Sequence, residues 1–316
     1  MSRAYYVVDA FTSERFAGNP AAVVLDARGL SDTAMGCIAA EFNLSETTFV
    51  LPPTCEQDTG RARFRWFTPT VEVDLCGHAT IAGALALAAS GGFAEYGLPD
   101  PSEGAVAWPI ETRSGVLTAF VEPIPNEPGQ RMLWLDLPDP VLSPARVSMA
   151  ELASALGLDE GAFDPEITPE MTQDGDLLVF VCDVQRLNDA VPDVATLATW
   201  CDRNRVRGVS LATVNTLTPS IHVQSRFFAP ACGIHEDPVT GSVHGPLFAK
   251  VAAMGGGIPG DGVTVLNATQ GIPGGRTGVI HGLVQRQSDD AACASANYAV
   301  RIGGRAVVTM RGTLEM

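Results

Sequence analysis

The sequence predicts an α+β protein built from two similar domains. Its 316 residues, of which 46% are hydrophobic, suffice for two domains of ordinary size, each with its own core. Short runs rich in β-branched and aromatic residues alternate with apolar segments of helical spacing. The two halves of the chain also resemble each other, which indicates a duplicated domain, because two copies are too few for a repeat array.

The duplication is clearest at one strand-like segment in each half. Residues 65–69, RWFTP, match residues 226–230, RFFAP, and an apolar helix is predicted at a similar distance after each. When the two segments are aligned without a gap, Cys76 falls on Asp237. Small-molecule sites form preferentially between domains, so we expect the two halves to face each other across a cleft.

In the N-terminal half, β-branched and aromatic runs predict strands, and Ser31 marks the start of a helix that continues to residue 42. An Ala-rich second helix is expected immediately after the motif Cys76-Gly77-His78. The predicted elements are strands at 5–11, 21–26, 45–51 and 62–69, a strand pair within 105–123, and helices at 32–42 and 78–89.

In the C-terminal half, Ser148 and Glu151 have the spacing of a capping box and predict the start of a helix. The prolines at 123, 125 and 128 indicate a linker, so we expect an N-terminal domain over 1–127 and a C-terminal domain over 128–304. The predicted elements of this half are strands at 131–138, 176–183 and 220–230 and helices at 148–156 and 193–204.

Composition excludes several classes of function. A net charge of −16 with only 20 Lys and Arg argues against binding to nucleic acid, which needs a basic surface. The first residues, MSRAYYVVDA, lack the apolar core of a signal peptide, and no apolar run reaches the roughly 18 residues of a membrane span. We therefore expect a cytoplasmic protein with no membrane partner. Seven scattered cysteines without a CxxC pair favour neither a disulfide framework nor a zinc ribbon, and no metal ligand is predicted.

Each half has a short polar turn between a strand and a helix, at Cys76–Ala79 and at Asp237–Ser242. The free N–H groups of a helix start can bind a carboxylate. With Cys76 and Asp237 on opposite sides of a substrate, this arrangement suits proton removal beside a carboxylate. The alternative is that Asp237 only caps its helix and that Cys76 is a packed thiol.

Glu46 stands at the head of the apolar strand-like segment ETTFVL. Partial desolvation there is expected to raise the pKa of its carboxyl group, which suits a general acid and base. The alternative is a solvated glutamate at the end of a strand.

Four motifs carry a resemblance to a known family. The stretches FAGNPAAVVLD, FNLSETTFV, FTPTVEVDLCGHAT and HEDPVTGSVHGPL resemble, in order and spacing, the phenazine-biosynthesis PhzF-like family, which has the diaminopimelate epimerase fold. The resemblance implies two pseudo-symmetric domains, each a curved, mostly antiparallel sheet around a central helix. It also implies that the last strand, at about 305–316, returns to the first domain, and that the protein is a homodimer.

The resemblance implies an isomerase that acts without a cofactor on a small carboxylate such as trans-2,3-dihydro-3-hydroxyanthranilate, by proton transfer on a glutamate. That glutamate corresponds to Glu46, and His78 and Asp237 correspond to its electrostatic and proton-relay partners. Ser242 corresponds to the family's serine and is expected to anchor the substrate carboxylate. The full set of expected substrate-binding residues is Cys76, Gly77, Thr240, Gly241 and Ser242.

Two other functions stay open at this stage. Epimerases and proline racemases of the same fold use one cysteine from each half, and the first of these falls on Cys76. Since Asp237 occupies the second position, the first alternative is an epimerase or racemase that uses Cys76 against Asp237. The second is a catalytically silent protein that keeps the site to bind a metabolite or a protein partner.

Overall fold

A computed structural model describes residues 2–55, 57–102, 104–260, 262–287 and 298–316. The chain divides into two compact units, Met1–Asp136 with Gly303–Met316, and Leu137–Ile302. The boundaries predicted from the sequence, after residues 127 and 304, lie near these divisions.

The first unit contains two α-helices and nine strands within its described residues, the last of which begins in the second unit. Its elements are β1 (Ser2–Ala10), β2 (Asn19–Val24), α1 (Asp32–Phe42), β3 (Glu46–Leu51), β4 (Ala62–Phe67), β5 (Glu72–Val73), α2 (Gly77–Ser90), β6 (Val106–Thr112), β7 (Gly115–Pro123), β8 (Arg131–Asp136) and the C-terminal strand, β18 (Tyr298–Glu315).

The strands of this unit close into a ring. From β1 the pairing runs through β2, β3, β4, β6, β7 and β8 to β18, and β18 pairs antiparallel with β1. Two of these pairings, β2 with β3 and β4 with β6, are parallel, and the pairings with assigned registers are otherwise antiparallel. A closed ring leaves no open edge for another chain to join.

Helix α2 lies inside this ring and contacts β1, β2, β3, β4, β7 and β8. It has no charged residue except His78 when that residue is protonated, and every residue from Gly77 to Leu87 is buried. Its alanines and glycines let the strands approach closely: a Cβ atom on Gly83 would lie 2.6 Å from the ring of Phe64. A helix that is apolar on every side is stable only when it is buried.

The second unit repeats much of this plan with more helices. Its elements are β9 (Leu142–Pro144), α3 (Met149–Leu156), β10 (Glu170–Thr172), β11 (Asp176–Phe180), α4 (Val184–Asp189), α5 (Val194–Asn204), β12 (Gly208–Thr213), β13 (Val223–Ala229), β14 (Ile234–Asp237), α6 (Gly241–Ala253), β15 (Ile258–Pro259), β16 (Val263–Gly271) and β17 (Thr277–Arg286).

The order of strand pairings confirms the duplication. In the first unit β2 runs parallel to β3, β3 antiparallel to β4, and β4 parallel to β6. In the second unit β11, β12, β13 and β16 follow in the same order with the same directions. Helix α6 corresponds to α2, and its residues from Val243 to Ala249 are buried. The predicted α+β class with two pseudo-symmetric domains is confirmed.

The helix starts correct the gapless alignment of the two halves. Helix α2 begins ten positions after Phe67, whereas α6 begins thirteen positions after Phe228, the equivalent residue. The residue that precedes each helix is Cys76 in the first unit and Thr240 in the second. Thr240, and not Asp237, is therefore the structural equivalent of Cys76.

The proline-rich segment predicted as a linker is instead a hairpin turn. Pro123 ends β7, and the N–H of Ile124 bonds the carbonyl of Gln130 before β8 pairs antiparallel with β7. Strand β8 consequently belongs to the first unit, although the sequence-based boundary assigned it to the C-terminal domain. Within the described part of the chain, no helix combines the length and apolarity that crossing a membrane requires.

The packing around α2 generates a prediction. Gly83→Ala forces a Cβ atom against Phe64, and we expect it to lower the free energy of unfolding by about 1–2 kcal/mol, because overpacking outweighs the gain in helix propensity. The matched control is Gly36→Ala in α1, where nothing lies within 4 Å of the added atom and the same change is expected to stabilise by roughly 0.5–1 kcal/mol. Urea denaturation of the two variants measures both. Equal stabilisation by both changes would contradict the close packing of α2.

Candidate active site

Glu46 is the first residue of β3, where the chain enters the ring of strands. Helix α1 ends at Asn43, whose left-handed conformation (φ 50°) turns the chain toward β3. Glu46 then pairs with Ala21 of the parallel strand β2. Its side chain is 13% exposed, so the carboxylate is largely withdrawn from water.

Cys76 and His78 lie at the start of α2. Cys76 precedes the helix in an extended conformation, and its carbonyl accepts hydrogen bonds from the N–H and the hydroxyl of Thr80. Its thiol makes no capping bond and instead approaches the imidazole of His78, with Sγ 3.5 Å from Nδ1. The side chain of His78 is 6% exposed.

Glu46, Cys76 and His78 form a compact group, which we call the acid–thiol–imidazole cluster. One donor atom from each side chain lies within 4.8 Å of the other two. Oε2 of Glu46 is 3.1 Å from Nε2 of His78, but this close approach does not have the alignment of a hydrogen bond. Among the described residues, this buried oxygen has no hydrogen-bond partner.

Ser45 is the residue that meets Nε2 of His78 as a hydrogen-bond partner. Its Oγ lies 3.3 Å from Nε2, and it is also within hydrogen-bond distance of Oδ1 of Asn19, at 3.3 Å, and of the carbonyl of Pro20, at 3.4 Å. The imidazole is thus held at both nitrogens, by Cys76 on one side and by Ser45 on the other.

The charges of the cluster follow from burial and proximity. Burial alone raises the pKa of Glu46, but the charge of His78 beside the carboxylate outweighs this effect, so that the pKa lies below its ordinary value. Burial lowers the pKa of His78, but Cys76 and Glu46 beside the ring raise it well above the ordinary value. Burial, with the charge of Glu46, raises the pKa of the Cys76 thiol. At neutral pH Glu46 is therefore a carboxylate beside a His78 ring that the charge of Glu46 helps to keep protonated.

This result corrects the expected pKa of Glu46. The sequence-based expectation was a raised pKa caused by desolvation at the head of an apolar strand. Desolvation is indeed the largest influence, but the cation at His78 reverses its effect. Glu46 is therefore a carboxylate rather than a neutral acid.

In the second unit, Asp237, Thr240 and Gln270 form a hydrogen-bonded network before α6. The hydroxyl of Thr240 donates to Oδ2 of Asp237 at 2.5 Å. Gln270, from β16, accepts from the N–H of Thr240 at 3.0 Å and donates to the carbonyl of Asp237 at 2.8 Å. Asp237 is not the residue that precedes the helix, so it does not cap α6 in the expected way.

His244 is fixed to the same turn. Its Nδ1–H donates to the carbonyl of Thr240 at 2.7 Å, and its ring packs edge-on against Phe248. Its Nε2 is buried and has no hydrogen-bond partner among the described residues. Burial lowers the pKa of His244 to about 4, so the ring is neutral at physiological pH.

The first turn of α6 has backbone N–H groups without helical acceptors. Gly241 and Ser242 are its first two residues, and their N–H groups lie in the first turn, where a helix has no internal acceptors. Pro246, inside the helix, has no N–H, so the carbonyl of Ser242 receives no helical hydrogen bond from it. Gly77 begins α2 in the same way in the first unit.

A repeated arginine–glutamate pair holds the chain ahead of each helix. Arg65 makes two hydrogen bonds to Glu72, both 2.7 Å, and Arg226 makes two to Glu236, at 2.7 and 2.9 Å. Each guanidinium also lies over a phenylalanine ring two residues further along its strand. Because both pairs are largely buried, they fix the strands β5 and β14 that lead to Cys76 and to Asp237.

The predicted site residues thus fall into two groups, one in each unit. Glu46, Cys76 and His78 come together in the first unit, and Asp237 and Thr240 come together in the second. That Cys76 and Asp237 face each other stays a prediction.

Sequence reasoning missed the roles of Ser45 and Gln270. Gln270 follows Leu266 and Ala268 at the buried positions of a strand with period two. A polar residue in that inward row is the signal that points to a buried network.

A protein-family model matches nearly the whole chain. The model of the PhzC-PhzF family, described as phenazine biosynthesis-like protein, matches residues 8–312. The chain belongs to the PhzF family. Trans-2,3-dihydro-3-hydroxyanthranilate isomerase of Pseudomonas chlororaphis is 32% identical over 316 residues, which cover 99% of each chain. Isomerase is accordingly the enzyme class that family membership assigns to this chain.

Solved structures agree with the family and with the fold. A PhzF-family phenazine biosynthesis protein of Bacillus anthracis superposes with a TM-score of 0.84 at 26% identity, over all of both chains. A probable proline racemase of Agrobacterium radiobacter, 13% identical, superposes with a TM-score of 0.64 over 99% of this chain and 93% of its own. The second likeness shows that PhzF proteins and racemases share a fold, as the sequence resemblance implied.

The depressed pKa of His244 predicts a specific dependence of stability on pH. In the unfolded chain His244 titrates near 6.5, whereas in the folded chain it stays neutral down to about pH 4. The unfolded state therefore binds more protons between these values, and stability falls as the pH drops below about 6.5. At pH 5 this amounts to about 2 kcal/mol.

Comparison of wild type with His244→Gln isolates this contribution from other titrating groups. We expect the wild-type free energy of unfolding, from urea denaturation, to decrease more steeply between pH 7.5 and 5 than that of the variant. Parallel pH profiles for the two proteins would show that His244 is protonated equally in the folded and unfolded states.

Proposed function

We propose that this chain is a cofactor-independent isomerase that moves a proton on a small, cyclic, carboxylate-bearing substrate, of the kind named in its Pseudomonas chlororaphis relative. The observation that carries the proposal is the state of Glu46. Its Oε2 is buried, lies beside a cationic imidazole and has no hydrogen-bond partner among the described residues, so its lone pair is available to accept a proton.

The first step is proton removal from a substrate carbon by the Glu46 carboxylate. Negative charge then moves from the carboxylate to the substrate, where an adjacent unsaturated system delocalises it. The imidazolium of His78 lies 3.1 Å from the carboxylate oxygen. It stabilises the carboxylate before the transfer and the substrate anion after it. Ser45 and Cys76 hold the ring in place during the step.

The second step returns the proton from Glu46 to another carbon of the substrate. Glu46, Cys76 and His78 belong to one unit and their donor atoms lie within 4.8 Å of one another, so they approach a substrate from one side. A single carboxylic acid suffices for transfer between two carbons on one face, whereas inversion at one carbon needs groups on both faces. The cluster therefore favours an isomerase over an epimerase.

The second unit supports anchoring of the substrate. The N–H groups of Gly241 and Ser242 and the Ser242 hydroxyl suit a carboxylate at the positive end of α6. Asp237, adjacent in the chain to Glu236 of the repeated ion pair, supplies a carboxylate that suits an amino group on the same substrate.

The epimerase alternative, which pairs Cys76 with Asp237, has less support. The residue equivalent to Cys76 is Thr240 and not Asp237, and its hydroxyl donates to Asp237. Burial also raises the pKa of Cys76, which disfavours a thiolate in the free protein. A homodimer and a cytoplasmic location remain expectations from the sequence.

The first test is the replacement of the proposed base. Glu46→Gln keeps the shape of the side chain and removes the proton acceptor, so we expect turnover of trans-2,3-dihydro-3-hydroxyanthranilate to fall roughly 10²–10⁴-fold with little change in substrate affinity. Glu41→Gln, on the exposed surface of α1, is the matched control and should retain wild-type turnover. Solvent deuterium incorporated into the product measures proton transfer directly.

The same assay separates the alternatives. Cys76→Ala is expected to reduce turnover far less than Glu46→Gln. Loss of activity with Cys76→Ala while Glu46→Gln stays active would replace the isomerase mechanism by a thiol-dependent one. Binding of the substrate without any deuterium incorporation would identify a silent binding protein.

A second test concerns the anchor. Ser242→Ala removes one hydrogen bond to the substrate carboxylate, worth about 1 kcal/mol, and is expected to weaken binding roughly fivefold while turnover at saturation changes little. Calorimetry with 3-hydroxyanthranilate as the probe gives the dissociation constant. An unchanged value would remove Ser242 from the carboxylate site.

A further inference from the structure

The acid–thiol–imidazole cluster has a property that proton transfer does not use: its three side chains are all ligands for a transition-metal ion. Thiolate, imidazole and carboxylate together are a zinc-type donor set, whereas Mg²⁺ and Ca²⁺ prefer oxygen ligands. Among the residues that the structure describes, no other group of three such side chains has donor atoms this close.

One pair of the donors has the spacing that a tetrahedral ion requires. Zinc ligands at about 2.3 Å for sulfur and about 2.0 Å for nitrogen, separated by a tetrahedral angle, stand about 3.5 Å apart. Sγ of Cys76 and Nδ1 of His78 are separated by 3.5 Å. Oε2 of Glu46 is buried and has no hydrogen-bond partner among the described residues, but it lies 3.1 Å from the other ring nitrogen, Nε2, so the side chain must turn toward Nδ1 to act as the third ligand.

The surroundings complete the site. A histidine that binds metal through one nitrogen ordinarily donates its other N–H to an oxygen, which fixes the orientation of the ring. Ser45 occupies this position: its Oγ lies 3.3 Å from Nε2 of His78 and is itself anchored near Asn19 and Pro20. Nδ1, on the side of Cys76, is then the metal ligand.

A divalent ion suits the charges of these ligands. The Cys76 thiol releases its proton to solvent on binding, and the carboxylate and thiolate then offset the two charges of the ion, so no uncompensated charge is left in the interior.

We propose that Glu46, Cys76 and His78 bind one zinc-type divalent ion, with Ser45 orienting the imidazole, and that the bound ion inhibits the protein by occupying the side chain of Glu46. Metal binding does not depend on the proposed function, whereas inhibition rests on it, because an ion on Glu46 removes the proton acceptor.

Cobalt is the probe, because Co²⁺ enters zinc sites and gives visible and near-ultraviolet absorption. Titration of the metal-free full chain with Co²⁺ is expected to saturate at one ion per chain with a thiolate-to-cobalt charge-transfer band, and Zn²⁺ is expected to displace it. Cys76→Ser should abolish this band, whereas Cys37→Ser, at an exposed position on α1, should retain it. Absence of the band in wild type, or its persistence in Cys76→Ser, overturns the proposal.

Two further measurements distinguish binding at the proposed site from misfolding of a variant and from binding of the metal at the protein surface. Zinc X-ray absorption on the wild-type protein is expected to show one sulfur neighbour at about 2.3 Å and nitrogen or oxygen neighbours at about 2.0 Å. Zinc without a sulfur neighbour contradicts the site. Ser45→Ala, which leaves all three ligands in place, is expected to weaken binding roughly 10-fold or more through loss of ring orientation.

Inhibition of the isomerase activity is measured separately from metal binding. With an active isomerase, Zn²⁺ is expected to inhibit turnover in proportion to site occupancy, and a chelator should restore it. A saturable cobalt–thiolate band without measurable isomerase activity would support the metal site while contradicting the proposed function. Full turnover with the site saturated would contradict inhibition through Glu46.

Discussion

A closed ring of strands encloses helix α2, and this enclosure determines where polar side chains can lie in the first unit. A ring of this size has room for one helix only if the side chains at the contacts are small, and Gly83 against Phe64 marks the tightest of these contacts. The body of the helix therefore has no place for polar groups, and polarity is confined to its N-terminal turn. Cys76 and His78 stand in that turn, and Glu46 stands where β3 enters the ring.

The second unit has the same order of strands but different side chains at the equivalent positions. In the paired strands, Thr47 opposite Phe67 corresponds to Val209 opposite Phe228, so the equivalent of Glu46 is Gly208. A Cβ atom at Gly208 would lie 2.3 Å from the ring of Phe227, so any side chain there would require that ring to move. The two domains therefore differ: the first has a carboxylate at this position, whereas the second has a glycine there and free N–H groups at the start of α6. This asymmetry fits the proposed one-base isomerase better than the symmetric pair of bases that a racemase requires.

Local signals were sufficient to predict several elements. Ser31 and Ser148 accept the N–H groups three residues ahead, as their capping patterns predicted, and the runs at 45–51 and 176–183 contain β3 and β11. Strand β12 was missed, although its residues are buried and largely apolar, because no turn motif set it apart from the preceding helix. The duplication was visible because the Arg and Phe residues that pair and pack in each half lie at fixed spacing.

What the sequence did not predict depends on contacts between distant segments. The charge of Glu46 is set by His78, 32 residues away, which reaches it only when β3 and α2 are assembled in one ring. The position of Gln270 against Thr240 likewise requires β16 to pass beside the start of α6. Three additional residues precede α6, so the gapless alignment is correct at RFFAP but is shifted by three positions at the start of the helix.

The features that suit Glu46 to the proposed proton transfer are also those that suit the cluster to the proposed metal ion. A general base needs a lone pair that no other group occupies, held beside a positive charge, and partly withdrawn from water. A buried carboxylate oxygen without a hydrogen-bond partner, next to a thiol and an imidazole, meets the needs of a zinc-type ion equally well. If both proposals hold, proton transfer and metal binding compete for one carboxylate, and the availability of the metal ion sets which of them occurs.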